Sequence, residues 1–395
     1  MIRILILMSN TGGGHRASAQ ALQAAFRVRH GQAFRVDIVD LWSEHTPWPL
    51  NRLPKSYKFL ANDTPRLYKL VFEMSEKPEL IAPIMDVVAR FAERDIARAI
   101  HHYRPDLIIS VHPLMQEVPL RVLQRMGRDV PVVTVITDLG TIHPTWFHPG
   151  VALCFVPTEA AYWQAVRQGL SPQQVRQHGL PIRLEFGGPP RPREHLRPAL
   201  GLHADLPNVL LVGGGEGMGP VAKIAQALAA ELAAGGAPAA QMTVICGHNA
   251  RLRAKLCDRR WPVPTTIRGY VDNMWDWMAA SDCVITKAGP GTIAEALACG
   301  LPIMLSGYLL GQEEGNVAYV LKHRVGAYAD DPQRVAATVG RWFGAERDRL
   351  AEMAQRARAI GMADAALKIA DDIATLAMDT ADAARMPLEA ASLGR

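Results

Sequence analysis

Two stretches of this chain repeat one pattern: a short apolar run, a glycine-rich turn, then a helix. The first runs Ile2–Met8, then Thr11-Gly12-Gly13-Gly14-His15, then a helical stretch to Arg29. The second runs Val209–Val212, then Gly213 to Gly219, then a helical stretch from Val221 to Ala234. Short runs that are apolar throughout, with no alternation, suit strands buried on both faces, as in parallel sheets. Further strands are expected at Phe34–Val39, Leu107–Val111, Val132–Thr137 and Ala152–Val156, and then at Met242–Cys246, Thr266–Arg268, Cys283–Thr286 and Pro302–Leu305. Helical stretches, including Ile81–His102, lie between them. Alternating strands and helices of this kind define an α/β chain with two doubly wound, Rossmann-like domains in tandem.

The proline-rich stretch 187–198 is the linker between them. The expected division is a first domain over 1–186, a second over 199–345, and helices over 346–377 that pack back on the first domain. A disordered tail follows over 378–395. Two such domains in series imply a cleft between them. The 395 residues have an ordinary globular composition, which excludes wholesale disorder. Five scattered cysteines form no C-x-x-C, so neither a disulfide framework nor a structural zinc site is expected. No apolar run is long enough to span a bilayer. The N-terminus does not read as a signal peptide.

The net charge of +5 lies in the first half and is too mild for a nucleic-acid binder. A local concentration of it suits an anionic membrane. Residues 41–77 are irregular, with Pro47, Pro49, Pro54 and Pro65. There Trp42, Trp48, Tyr57, Phe59 and Tyr68 interleave with Arg52, Lys55, Lys58, Arg66 and Lys69. That composition fits a bilayer interface; it fits a buried subdomain with a solvated basic face equally well.

Ligands of doubly wound sheets sit beyond the carboxyl ends of the strands, and the polar motifs fall there. His15 opens the first helix. Gly12, Gly14 and Ala17 also fit G-x-G-x-x-A, with Asp37 and Asp40 downstream, so a nicotinamide-dependent oxidoreductase is a competing reading. The Gly213–Gly219 turn, with Gly214, Gly215 and Gly217, does not fit that fingerprint but suits a backbone nest for a diphosphate. In Thr286-Lys287-Ala288-Gly289-Pro290-Gly291-Thr292, Pro290 suits a first helical turn. The N–H groups of Gly291 and Thr292 then face an anion, and Glu295, one turn in, suits ribose hydroxyls. Gln312 and Glu313 suit a polyol. Asp138, at a strand end, can orient a histidine or act as a base. His112, His143 and His148 lack metal-ligand spacing, and no Asp-x-Asp is present, so neither a metal nor another cofactor is expected. A non-catalytic nucleotide-sugar or membrane-binding module is the third reading.

In order, the chain carries SNTGGGHRAS, DLWSEHTPWP, SVHPLMQEVPLRVL, VITDL with HPTWFH, GGGEGMGP, ITKAGPGTIAEAL and GQEEGN. As a set, from about residue 3 to 375, these resemble the monogalactosyldiacylglycerol synthases. That family is related to the diacylglycerol glucosyltransferases and to the lipid II-forming glycosyltransferase. The resemblance implies the GT-B fold, two Rossmann-like domains facing across a cleft. It implies an inverting transfer of galactose from UDP-galactose to the sn-3 hydroxyl of 1,2-diacylglycerol, with UDP-glucose as the alternative donor. On the donor side it assigns Gly289, Gly291 and Thr292 to the diphosphate, Glu295 to the ribose, Gln312 and Glu313 to the sugar, and Gly269 and Tyr270 to uracil. His15 becomes the catalytic base, with Asp138 its orienter or substitute. Gly14, Trp48, Pro49, Arg52, Tyr57, His112 and Trp146 fall on the acceptor and membrane side. Phosphatidylglycerol is an implied partner. With the first motif so near residue 1, a bacterial cytoplasmic enzyme, peripheral on the inner face of the cell membrane, is expected.

Overall fold

A computed structural model describes residues 1–10, 13–52, 64–189 and 191–385. The chain forms two compact units. The first contains 1–137, 142–184 and the C-terminal stretch from 364; the second contains 138–141 and 185–363.

The first unit holds a parallel sheet of β1 (Ile2–Met8), β2 (Phe34–Asp40), β3 (Leu107–Ser110), β4 (Val132–Val135), β5 (Leu153–Val156) and β6 (Val175–Gln177), in the order β2-β1-β3-β4-β5-β6. In register, Ile4 pairs with Val36 on one side and Leu107 on the other. One face packs Leu5, Leu7, Ile108, Val132 and Cys154 against Ala92, Ile96 and Ile100 of the helix Pro78–Tyr103. The opposite face packs Ile4, Ile6, Ile109 and Val133 against two helices. These are Gly13–His30, through Leu22 and Phe26, and Ala365–Arg385, through Ile369, Ala370, Ile373 and Ala374. Alanines let that last helix lie close. Asp371 also pairs with Arg29, and Asp372 with His178.

The second unit repeats the design with β7 (Asn208–Val212), β8 (Gln241–Ile245), β9 (Thr265–Arg268), β10 (Cys283–Thr286), β11 (Ile303–Leu305) and β12 (Gly326–Tyr328). Its order is β12-β11-β10-β7-β8-β9, again parallel. The order reverses between β1 and β3 in one unit and between β7 and β10 in the other. Neighbouring crossover connections leave in opposite directions at such a reversal, so a crevice opens beyond those carboxyl ends.

Residues 346–377 are divided between the units. The helix Arg347–Ile360 counts with the second, where Met353 is part of the core, and Ala365–Arg385 counts with the first. The C-terminal helix continues to Arg385, past the point where a disordered tail was expected; 386–395 lie outside the described residues. The stretch 187–198 is not an open linker along its length. It contains most of the helix Arg193–Ala199, whose Arg193 and buried Arg197 each donate to Asp282 at 2.7 Å. Asp282 also accepts the Asn208 N–H at 2.7 Å. Removing one partner of a buried ion pair strands the others. Asp282→Ala is therefore expected to cost about 3 kcal/mol or more, read as a lower midpoint in urea unfolding. An unchanged midpoint would show that the pair contributes nothing.

Candidate active site

In the first unit His15 sits on the first turn of Gly13–His30, beyond the end of β1. Its Nδ1 lies 2.8 Å from the Val111 carbonyl oxygen and 2.9 Å from Thr137 Oγ1. A carbonyl only accepts, so Nδ1 carries the hydrogen and Nε2 keeps its lone pair. The His112 ring lies 4.8 Å away and the Trp146 indole 6.3 Å away, centroid to centroid. Burial pushes His15 down to about 4, which the Val111 carbonyl opposes only in part. His112 falls well below its ordinary value, through burial and then through His15. Both rings are neutral at pH 7.

The other histidines near these loops are held by local bonds. His143 Nδ1 accepts the Thr145 N–H at 3.3 Å, and its Nε2 lies 2.9 Å from Ser75 Oγ. It caps the short 3-10 turn Pro144–Trp146. His148 Nδ1 accepts the Gly150 N–H, and its Nε2 meets Glu117 at 3.1 Å.

Several expectations change here. The His15 ring is held at Nδ1 by the Val111 carbonyl and Thr137, two partners that sequence reasoning did not name. Trp146, expected to face acceptor or membrane, is wholly buried behind His15. His112 is likewise buried, with Nδ1 accepting the Leu114 N–H at 3.3 Å. The dinucleotide reading loses its acid: Asp40 accepts from the Asn10 and Ser43 N–H groups and the Ser43 hydroxyl, capping the helix Leu41–His45. Asp37 pairs with Arg35. Gly14, Trp48, Pro49 and Arg52 are exposed. Gly12 and Tyr57 lie outside the described residues.

In the second unit the turn after β7 is made by glycines in left-handed conformations, Gly214 at φ +70° and Gly217 at φ +59°. A Cβ on Gly217 would collide with the Cys246 carbonyl. The Gly215 carbonyl accepts the His248 N–H at 2.8 Å. His248 stacks on the exposed Tyr270 ring at 4.4 Å and 13°, which fixes an aromatic face beside Gly269.

After β10, Gly289 is extended and Pro290 opens the helix Pro290–Ala298. The first N–H groups of a helix have no partner within it, so those of Gly291 and Thr292 point out of the helix start. Glu295 is half-buried one turn in. Glu313 is buried, and both its oxygens are engaged: Oε1 accepts from Lys287 Nζ at 2.7 Å and Oε2 from the Leu309 N–H at 2.8 Å. Gln312 Nε2 donates to Asp138 Oδ1 at 3.4 Å.

Asp138–Thr141 belongs to this unit. Gly140 N–H donates to Asn316 Oδ1 at 2.7 Å, and Gly315 N–H to Thr141 Oγ1 at 2.9 Å. A Cβ on Gly140 would overlap the Gly315 backbone. Asn316 Nδ2 donates to the Ala288 carbonyl, joining this crossing to the 287–292 turn. Lys287 was missed from sequence because its partner lies 26 residues away; a cation inside a glycine-rich turn after a strand was the available signal. Among the described residues no group of three or more His, Cys, Asp or Glu is placed to hold a metal ion.

Two parallel six-stranded Rossmann-like units, each with one reversal of strand order, define the GT-B fold. The structure of MurG from Acinetobacter baumannii superposes with a TM-score of 0.58 at 15% identity, covering 95% of this chain and 100% of that one. That of S. aureus MnaA with UDP does so at 0.60 and 13%, covering 95% and 97%. Residues 15–182 match the monogalactosyldiacylglycerol (MGDG) synthase family and 208–368 the glycosyltransferase family 28 C-terminal domain. The chloroplastic monogalactosyldiacylglycerol synthase of Spinacia oleracea is 47% identical over 94% of this chain and 72% of its own length. Monogalactosyldiacylglycerol synthase 1 of Arabidopsis thaliana is 45% identical over 94% and 70%. The chain belongs to the monogalactosyldiacylglycerol synthase family, and it is a hexosyltransferase.

His15 titrates at about 4 in the fold against an ordinary 6.5. The His15 ring should therefore stay neutral down to about pH 5, read from the NMR shifts of its ring protons. Between pH 6.5 and 4 the unfolded chain binds a proton the fold does not, so stability falls as the pH drops from 6.5 towards 4. A His15 ring that titrates near 6.5 would contradict its burial.

Proposed function

We propose that this protein moves galactose from UDP-galactose to the sn-3 hydroxyl of 1,2-diacylglycerol with inversion, releasing UDP and monogalactosyldiacylglycerol. The carrying observation is the neutral His15, its Nδ1 held by the Val111 carbonyl and its Nε2 left as an acceptor, at the strand-order reversal of the first unit. An alcohol is a poor nucleophile at neutral pH, and a positioned base raises its rate by about 10² to 10⁴. Nε2 takes the hydroxyl proton as the oxygen bonds to the anomeric carbon. The carbon–oxygen bond to the diphosphate breaks on the opposite face, and the configuration inverts. The helix start at Gly289–Thr292 stabilises the departing charge, a form of help that needs no essential divalent ion. Glu295 would meet the ribose, Gln312 and Glu313 the sugar, and Tyr270 on His248 the uracil. The names of the curated relatives support galactose as the transferred sugar.

The acceptor is a lipid, and the first unit offers a surface for one. On the helix Pro65–Ser75, Leu67, Leu70, Val71 and Met74 are exposed; on Pro78–Tyr103, Leu80, Ile84, Val87 and Phe91 are. Exposed Arg66, Lys77, Arg90 and Arg94 accompany them. An apolar face with basic neighbours suits an anionic bilayer surface. No described helix is long and apolar enough to cross a membrane. We propose peripheral binding to the inner face of the cell membrane, with phosphatidylglycerol as a lipid partner.

Incubation with diacylglycerol vesicles containing phosphatidylglycerol, and with UDP-galactose or UDP-glucose, tests the reading. Monohexosyl product from UDP-galactose alone is expected, and His15→Ala should lower its rate by about a hundredfold or more while UDP binding persists. Product from UDP-glucose alone would overturn the donor; wild-type turnover by His15→Ala would overturn the base. Vesicle sedimentation tests the surface. Ile84→Glu with Leu70→Glu should release the protein from phosphatidylglycerol vesicles, with at least a several-fold loss of affinity. Unchanged sedimentation would remove these helices from the interface.

A further inference from the structure

Lys287 is placed where its ion pair alone does not explain it. Its partner Glu313 has 8% of its side chain exposed, whereas Lys287 has 45%. A Cβ built on Gly289 would have Lys287 Nζ at 3.8 Å, and one built on Gly214 would have Lys287 Cε at 4.0 Å. The ammonium therefore lies over the extended residue that starts the helix Pro290–Ala298, and its stem runs beside the glycine turn after β7. Both features attract an anion through backbone N–H groups, and the Lys287 ammonium stands between them, open to solvent.

We propose that Lys287 is the side chain that meets the diphosphate of the donor, and that it does so by leaving Glu313. This rests on the nucleotide-sugar reading above. The step is an exchange of partners, with no covalent bond made or broken. In the unliganded protein Lys287 keeps the buried Glu313 carboxylate compensated. A diphosphate offers it a stronger set of oxygens at the same rim. When Nζ turns to them, Glu313 Oε1 loses its donor, while Oε2 stays fixed by the Leu309 N–H. A buried carboxylate with a missing donor is costly, so Oε1 becomes a strong acceptor for a sugar hydroxyl. Glu313 can thus contact the sugar even though both its oxygens are engaged without the ligand. It also couples the two halves of the donor: the diphosphate draws the lysine away, and the hexose replaces it.

Calorimetric binding of uridine and of UDP separates the phosphate contribution from the nucleoside contribution. The full-length wild type is compared with Lys287→Ala, Lys287→Arg and the double variant Lys287→Met/Glu313→Gln, which leaves no orphaned charge. Loss of one charge-assisted contact is worth about ten- to a hundredfold in affinity. Lys287→Ala and the double variant should weaken UDP by that factor while leaving uridine within about twofold, and Lys287→Arg should retain most UDP affinity. Equal losses for uridine and UDP, or wild-type UDP affinity in the double variant, would make Lys287 a structural partner of Glu313 and overturn the assignment. A wild type that binds neither ligand would take down the nucleotide-sugar reading itself, and this assignment with it.

Discussion

Everything chemical in this chain depends on the parallel strand order and on where that order reverses. In each unit the reversal lies beside the first strand, and the turn that follows this strand is rich in glycine. In the first unit the loops leaving β1, β3 and β4 converge there, so His15, Val111 and Thr137 meet although they lie up to 122 residues apart. In the second unit the loops leaving β7 and β10 bring Gly214, Lys287 and Gly289 together. The buried aliphatic faces of the sheets hold these loops in register. The site is therefore a consequence of core packing, not of local sequence.

Charge is handled differently at the two reversals. The first removes it: burial keeps His15 and His112 neutral, and Trp146 closes the space behind them. The second concentrates positive potential through helix N–H groups, the backbone of the glycine turn and the Lys287 ammonium. The glycines there are not interchangeable with alanine. Gly217 needs a left-handed backbone and a close approach to Cys246, and Gly140 crosses Gly315 with no room for a side chain.

The strands and glycine turns were legible because buried parallel strands and turn glycines leave unambiguous patterns. The helix start at Pro290 was legible for the same reason, since proline suits the first turn. What could not be read was which polar groups pair across long separations. Asp138 accepts from Gln312, 174 residues further along the chain, a pairing that no spacing announces. The resemblance puts Trp146 on the acceptor and membrane side, yet it is wholly buried in one cluster with Leu5, Leu7 and Ile108 of strands β1 and β3. The apolar face of Pro78–Tyr103 escaped notice because its inward and outward residues are both apolar. Ile84, Val87 and Phe91 differ from Ala92 and Ile96 only in what the fold sets against them.

Under the proposed reaction, the two treatments of charge are complementary. A histidine held neutral by burial is a weak base, and Nε2 would gain little by removing the acceptor proton before the carbon–oxygen bond forms. Such a base is useful only when the electrophile leads, so that the hydroxyl becomes acidic as its oxygen begins to bond. The electrophile leads when the diphosphate departs early. Early departure is what a helix N-terminus and a mobile ammonium would promote, since both bind the leaving group more strongly as its charge grows. In that reaction the weakness of His15 as a base would be the counterpart of anion stabilisation in the second unit. It would also protect the hexose. A stronger base at this position would activate water as readily as a lipid hydroxyl, and donor would be lost to hydrolysis.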